Sequence, residues 1–282
     1  MSLNRNKLYP LLGLLPFALL IVGFLLLPLL NMIIQSFRAE DGIFGLTQYI
    51  TIFGDAFYLQ AIKNSLTISL ISSTVAIILA AIGGYSISRL AGKGNRIMVA
   101  ITNMTAYFEG IPLAFSFVIL LGNNGLFTLL FSQLGLNNFY DFNLYSWNGL
   151  IVVYIYFQVP FAIMLLLPTY QGLKDEWRYA SNLLGGSQLA YWRHIALPIL
   201  FPGLIGTYTI LFANSLGAYA TGYALLGSTY NLLPLQIGSL IAGDVFLQPN
   251  LASALGVVLA LIMMLALWLN GSIMRRVRRD LR

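Results

Sequence analysis

Leu11–Ile34 reads LLGLLPFALLIVGFLLLPLLNMII and carries no charged side chain. A helix of about 20 apolar residues, rising 1.5 Å per residue, crosses the ~30 Å hydrocarbon core of a bilayer. Further apolar runs follow at Ile62–Leu90, Ile97–Leu121, Trp147–Leu167, Ile199–Leu225 and Leu251–Ile273. Backbone groups in lipid find no water to bond with, so each run is expected to be helical. The sequence therefore predicts an all-α fold, a polytopic transmembrane helical bundle with six spans. The third and fifth runs hold the most polar residues. The first run is too long for the apolar core of a signal peptide, and no small-residue cleavage pattern follows it, so it is read as retained.

Composition agrees. Of 282 residues, 59% are hydrophobic and 9% charged, against roughly 25% charged in a soluble domain. Such a chain cannot cover a soluble surface, and it is too apolar to be disordered. It has no cysteine and one histidine, His194. Disulfides, thiolate metal sites, a cysteine nucleophile and a multi-histidine metal site are all excluded within the chain. No catalytic residue and no metal ligand is assigned.

The basic residues orient the spans. Six crossings put both termini on one side. If that side is the cytoplasm, the inner segments hold Arg5, Lys7, Arg89, Lys93, Arg96, Lys174, Arg178, Arg193, Arg275, Arg276, Arg278, Arg279 and Arg282, leaving only Arg38 and Lys63 outside. This positive-inside bias predicts cytoplasmic termini. The run Arg275–Arg282 then reads as an anchor beside anionic lipid head groups rather than a nucleic-acid site. The outer segments carry Glu40, Asp41, Asp55, Asp141 and Asp244. They make a face of opposite sign that would attract a cationic solute or a basic partner.

One domain, 1–282, is expected, ending in a basic cytoplasmic tail at 274–282. The outer loops contain two apolar pieces too short to span, Leu126–Leu136 and Leu232–Ile241. The inner loop between the fourth and fifth runs, from Tyr170 to about Leu197, is more informative. It reads as a polar helix with Lys174, Asp175, Glu176 and Arg178, a break at Gly185-Gly186, and a second helix capped by Ser187. Leu189, Tyr191, Trp192 and Ile195 make that second helix mostly apolar. Pro198 is read as the start of the fifth span. An exposed helix–turn–helix with apolar and aromatic groups needs a partner to cover it.

Inside the membrane zone Glu109 stands out. It lies thirteen residues after Arg96, ~20 Å into a continuous helix. A membrane-buried ionisable group costs at least ~2.5 kcal/mol and is a functional candidate by default; the plainer alternative is a paired structural glutamate. Gly110 and Pro112 can open the helix beside it and turn carbonyls toward a cavity. Asn103 and Tyr107 share another face of that helix, four residues apart. In the fifth run Asn214, Ser215 and Tyr219 are the candidates. Asn214 reads either as interhelical glue or as a solute contact, and the row Ala213, Gly217, Thr221 reads as close helix packing. The candidate solute pathway is Asn103, Tyr107, Glu109, Asn214 and Tyr219.

The inner loop also carries a resemblance. Gly185-Gly186-Ser187, four residues, Trp192, two residues, then Ile195-Ala196-Leu197-Pro198 resembles the second half of the cytoplasmic-loop signature of ABC importer permeases. That signature runs G-A-S, four residues, an aromatic, two residues, I-x-L-P. The first half departs, with Tyr179-Ala180-Ser181 where the family commonly has Glu-Ala-Ala; the nearest acid, Glu176, lies three positions earlier. Phe44–Tyr49 and Ala61–Leu66 resemble the start of the family's core domain, so the likeness covers about 44–273. Gly217–Tyr223 and the long outer loop after it look most like the spermidine/putrescine-type permease branch. Permeases for iron, thiamine and phosphonate sit close to it.

The resemblance implies a multi-pass permease in a bacterial cytoplasmic (inner) membrane, with a coupling helix between spans four and five. Tyr179, Ala180, Ser181, Leu184, Gly185, Gly186 and Ser187 would dock on a cytosolic ATPase dimer. ATP and Mg would be held there, because Gly92-Lys93-Gly94 is no phosphate loop. A second permease chain would complete the pathway, a paralogue if the branch assignment holds. A solute-binding protein outside the membrane would deliver cargo, a polyamine in that branch. From the residues alone, the rival reading is an ion-coupled secondary transporter, for which Glu109 speaks but no inverted repeat does.

Overall fold

The computed structural model describes residues 14–39, 41–135, 142–228, 230–242 and 247–280. Arg5, Lys7, the beginning of the first predicted span, Glu40, Leu136, Asp141, Asp244 and residues 281–282 lie outside them, as do the side chains of Arg276, Arg278 and Arg279. The helices are α1 (Leu14–Ser36), α2 (Thr47–Gly54), α3 (Ala56–Arg89), α4 (Gly92–Ala106), α5 (Ile111–Leu121), α6 (Leu126–Gln133), α7 (Trp147–Gln171), α8 (Asp175–Leu183), α9 (Gln188–Leu216), α10 (Tyr219–Leu226), α11 (Leu233–Ala242) and α12 (Pro249–Asp280). The one extended pairing among the described residues is an isolated bridge between Arg38 and Phe44. Six stretches are long and apolar enough to cross a membrane: α1, α3, Ile111–Gln133, α7, α9 and Pro249–Arg275.

Two predicted spans differ. The third was expected as one helix over Ile97–Leu121. Instead α4 stops at Ala106, α5 starts at Ile111, and the apolar crossing stretch is Ile111–Gln133. The cause is local: Gly110 holds φ +80°, ψ −144°, which only glycine adopts without strain, and Pro112 has no N–H to give to a preceding turn. The apolar piece after Leu126, expected as separate, therefore extends this crossing stretch as α6. The fifth span was expected over Ile199–Leu225. The helix instead begins at Gln188 and ends at Leu216, with Gly217 and Ala218 separating it from α10. Ala213, Gly217 and Thr221 are thus not one packing row on one helix.

Nor does Pro198 begin a helix. It lies inside α9, two residues after a wide π-turn, Trp192–Ala196, in which Leu197 N–H bonds to Trp192 O. The same arrangement occurs in α1, where the π-turn Val22–Leu26 precedes Pro28 and Leu27 N–H bonds to Val22 O. A proline cannot donate to the carbonyl four residues back and its ring crowds that carbonyl. Widening the preceding turn relieves both, so each proline is carried without a helix end.

The chain forms two compact units. In the first (1–59 and 236–260), the turn after α1 is pinned by Gln48 Nε2 donating to Arg38 O at 3.1 Å and Tyr49 OH donating to Ser36 Oγ at 2.8 Å. Met32 of α1 lies against Gly256 of α12, where a Cβ would come within 3.0 Å of its sulfur. The second unit (60–235 and 261–282) contains the candidate site. One of its cores gathers Ile68, Leu113, Phe117, Val153, Phe157, Leu225 and Leu235 from α3, α5, α7, α10 and α11. The other gathers Ala76, Ala80, Ala162, Leu166, Tyr170, Leu200 and Leu211 from α3, α7 and α9. Small residues on α3 let α7 approach, as is usual where helices associate in lipid. Between these cores lies a buried polar knot. Gln158 accepts from Ser73 Oγ and donates to Ser72 Oγ, both at 3.0 Å, and Ser72 meets Ser215 Oγ at 3.1 Å.

Candidate functional site

Two helix interruptions lie side by side. The first separates α4 from α5 at 107–110, and the second separates α9 from α10 at Gly217–Ala218. Each leaves backbone groups without a helical partner, and each is completed by a distant side chain. Gly110 N donates to Thr221 Oγ1 at 3.1 Å, joining the start of α5 to α10. Ala218 O accepts from Tyr154 OH of α7 at 2.8 Å. Asn214 Nδ2, near the end of α9, donates to Glu109 Oε2 at 3.4 Å. Non-helical backbone inside a membrane protein persists only where such partners or a wet cavity satisfy it.

Here side chains from other helices supply the partners. The interruptions border a cavity of about 350 Å³ whose wall includes Glu109, Phe157, Asn214, Tyr219 and Thr221. The Tyr219 ring stacks on Tyr223, centroids 5.4 Å apart and planes 16° apart. An exposed carboxylate, an amide and an aromatic ring around one cavity can bind a cation by charge, hydrogen bonding and ring face together.

Of the candidate pathway residues, Glu109, Asn214 and Tyr219 reach this cavity. Asn103 and Tyr107 do not border it; Asn103 is half-buried in α4 and Tyr107, at the end of that helix, is exposed. Glu109 is in the interruption rather than inside a continuous helix, so a depth counted from Arg96 does not apply.

The loop between α7 and the fifth crossing stretch forms a hairpin of α8 and the first turns of α9. Its turn is closed by the backbone itself. Gly185 N donates to Asn182 O at 3.0 Å and Gly186 N to Ser181 O at 2.8 Å, the two bonds of a Schellman motif, with Gly185 at φ +76° as the left-handed residue. A Cβ on Gly186 would lie 2.7 Å from Ser181 Oγ. Ser187 Oγ accepts from Ala190 N at 3.2 Å and caps the second arm. The two faces of the hairpin differ. Trp177, Tyr191, Trp192 and Ile195 pack on the second core. Tyr179, Leu183, Leu184 and Leu189 are 65–88% exposed. Ala180 and Ser181 lie on the same exposed arm.

Several residues escaped the sequence reading. Gln158 was legible in principle, as an amide in the middle of an apolar run. Tyr154 was not, because nothing local separates a tyrosine that closes a helix break from one that fills a core. Arg89 was read only as a topology charge, yet it ion-pairs with Asp175 at the start of α8.

No protein-family model matches the chain. It is 25% identical over 251 residues to the spermidine/putrescine transport system permease protein PotC of Escherichia coli (strain K12), covering 87% of this chain and 89% of that protein. The trehalose transport system permease protein SugB of Mycobacterium tuberculosis is 24% identical over 249 residues, 85% of each chain. The chain is homologous to the permease subunits of ABC importers. Structure agrees at the level of fold. A chain of the bacterial ABC transporter involved in import of the acidic polysaccharide alginate superposes with a TM-score of 0.78 at 18% identity, covering 96% of each chain. A chain of the MetNI methionine ABC transporter gives 0.60 at 18% identity, over 78% of this chain and 95% of that chain.

Proposed function

We propose that this permease is the membrane-spanning subunit of an ATP-driven importer, and that its cargo is a small cationic amine of the polyamine class. Both termini face the cytoplasm, and the hairpin Tyr179–Ser187 docks on a separate ATPase dimer that holds ATP and Mg. A second permease chain completes the pathway, and a binding protein delivers cargo from outside. The alginate importer has been crystallised in complex with a substrate-bound periplasmic protein, which supports this division of labour. The observation that carries the cargo reading is Glu109, a carboxylate bordering the helix-break cavity with Asn214 and Tyr219. The likeness to a spermidine/putrescine permease supports it.

The likeness to a trehalose permease at nearly the same identity favours a second cargo, a neutral sugar. Charge distinguishes the two. The Glu109→Gln change keeps the hydrogen-bond acceptor for Asn214 and removes the negative charge. In proteoliposomes containing the whole transporter, ATP-dependent uptake of radiolabelled spermidine is expected in the unaltered protein, with its half-saturation raised about 10-fold by Glu109→Gln, one charge interaction of about 1.4 kcal/mol. Trehalose uptake, or spermidine uptake indifferent to the change, overturns the amine reading.

A further inference from the structure

We propose that the end of α3 is a lateral strut that couples the hairpin to the membrane-spanning helices, gripping both of its arms. Tyr85 and Arg89 are four residues apart and share one face of the last turn of α3. The Arg89 guanidinium lies 5.2 Å over the Tyr85 ring, and its Nη1 ion-pairs with Asp175 Oδ1. Asp175 is in the first turn of α8, where the helix dipole already favours an acid. On the other arm, Tyr85 meets the Trp192 ring edge-on, centroids 4.8 Å apart. Trp192 opens the π-turn of α9. One helix end thus holds the first residue of the outgoing arm by charge and the returning arm by ring packing.

The strut is itself braced. Asn95 Nδ2 donates to Ile87 O at 2.8 Å, fixing the turn into α4. Tyr170 OH donates to Ala81 O at 2.6 Å, and the Tyr170 ring lies 6.1 Å from that of Tyr85. The ion pair is the one salt bridge among the described residues, and its side chains are 30% and 56% exposed. A partly exposed pair adds little stability. Its place, linking α8 to α3 across 86 positions of sequence, suits transmission. A push on the exposed face of the hairpin reaches α9 along the chain and α3 through Arg89 and Tyr85.

This inference rests on the permease reading, and the test separates the two. The complete transporter is reconstituted, and cargo uptake and ATP hydrolysis are measured on the same vesicles. Arg89→Ala and Asp175→Asn are expected to leave ATPase association and hydrolysis within about 2-fold and to lower cargo moved per ATP about 5-fold or more. The exchange Arg89→Asp with Asp175→Arg is expected to restore at least half of the lost coupling, which assigns the loss to the pair; a merely structural role would instead lower ATPase association and hydrolysis along with uptake. Asp175→Asn carries the test if Arg89→Ala is not recovered folded. Unaltered coupling in either single variant, or no recovery in the exchange, overturns the strut while leaving the permease reading in place. ATP-independent uptake by the unaltered protein removes both.

Discussion

The cavity and the hairpin both arise where a helix stops, and they stop it differently. At the hairpin, Gly185 turns left-handed and Gly185 N and Gly186 N return to carbonyls of α8 itself. The turn is self-sufficient, and its side chains are free to point outward. At the cavity, Gly110 also takes a positive φ, but its N–H goes to Thr221, while Ala218 O takes the hydroxyl of Tyr154. Water can serve a break at the surface, whereas a break within the membrane zone needs a partner from another helix. Breaks closed by other helices are therefore joints, and the self-closed turn, with its exposed side chains, is the platform proposed for docking.

This difference orders the expected effects of substitution. The largest belongs to the platform. Leu184→Asp is predicted to leave folding intact and to cut ATPase co-purification at least 10-fold, because Leu184 is 88% exposed and a charge there meets the covering surface. Normal co-purification would move docking away from this face. Next is Gly110→Ala. The nearest atom to its Cβ, Ala220 Cβ, is 3.7 Å away, so space is available and the cost is conformational, about 1–3 kcal/mol. A clear fall in thermal unfolding temperature in detergent is expected, and an unchanged one would mean the joint tolerates another conformation.

Tyr154→Phe removes the donor to Ala218 O and keeps the ring. Hydrogen bonds between membrane helices contribute about 0.6 kcal/mol, up to about 1.7, so a smaller loss of stability is predicted, read by the same unfolding measurement. Smallest is Thr221→Val, which keeps the shape and removes the acceptor for Gly110 N. It should cost about 0.6 kcal/mol, with Thr221→Ser near the unaltered protein. If Thr221→Val proved worse than Gly110→Ala, the side-chain partner rather than the glycine would define the joint.

The same contrast explains what the sequence revealed. The hairpin was legible because its signals are local: Gly185-Gly186 permits the turn, Ser187 caps, and apolar residues sit on one face of a polar loop. Gly110, Pro112 and Glu109 announced an opening in the third run. Its partners were hidden, since Thr221 lies 111 positions from Gly110 and Tyr154 lies 64 from Ala218. The break at Gly217 was missed because glycine inside an apolar run reads equally as close packing. Pro198 misled for the opposite reason. A π-turn absorbed it, as one does before Pro28.

The most direct test of the account is ATPase association and ATP-driven uptake by the assembled transporter, with and without Gly185→Asp. At φ +76° this position strains any side chain, and the change distorts the platform while leaving the joints at Gly110 and Gly217 alone. The account predicts that the unaltered permease co-purifies an ATPase and takes up cargo only with ATP, and that Gly185→Asp abolishes both. Uptake that proceeds without ATP, or an ATPase that binds equally well to the altered hairpin, would contradict it.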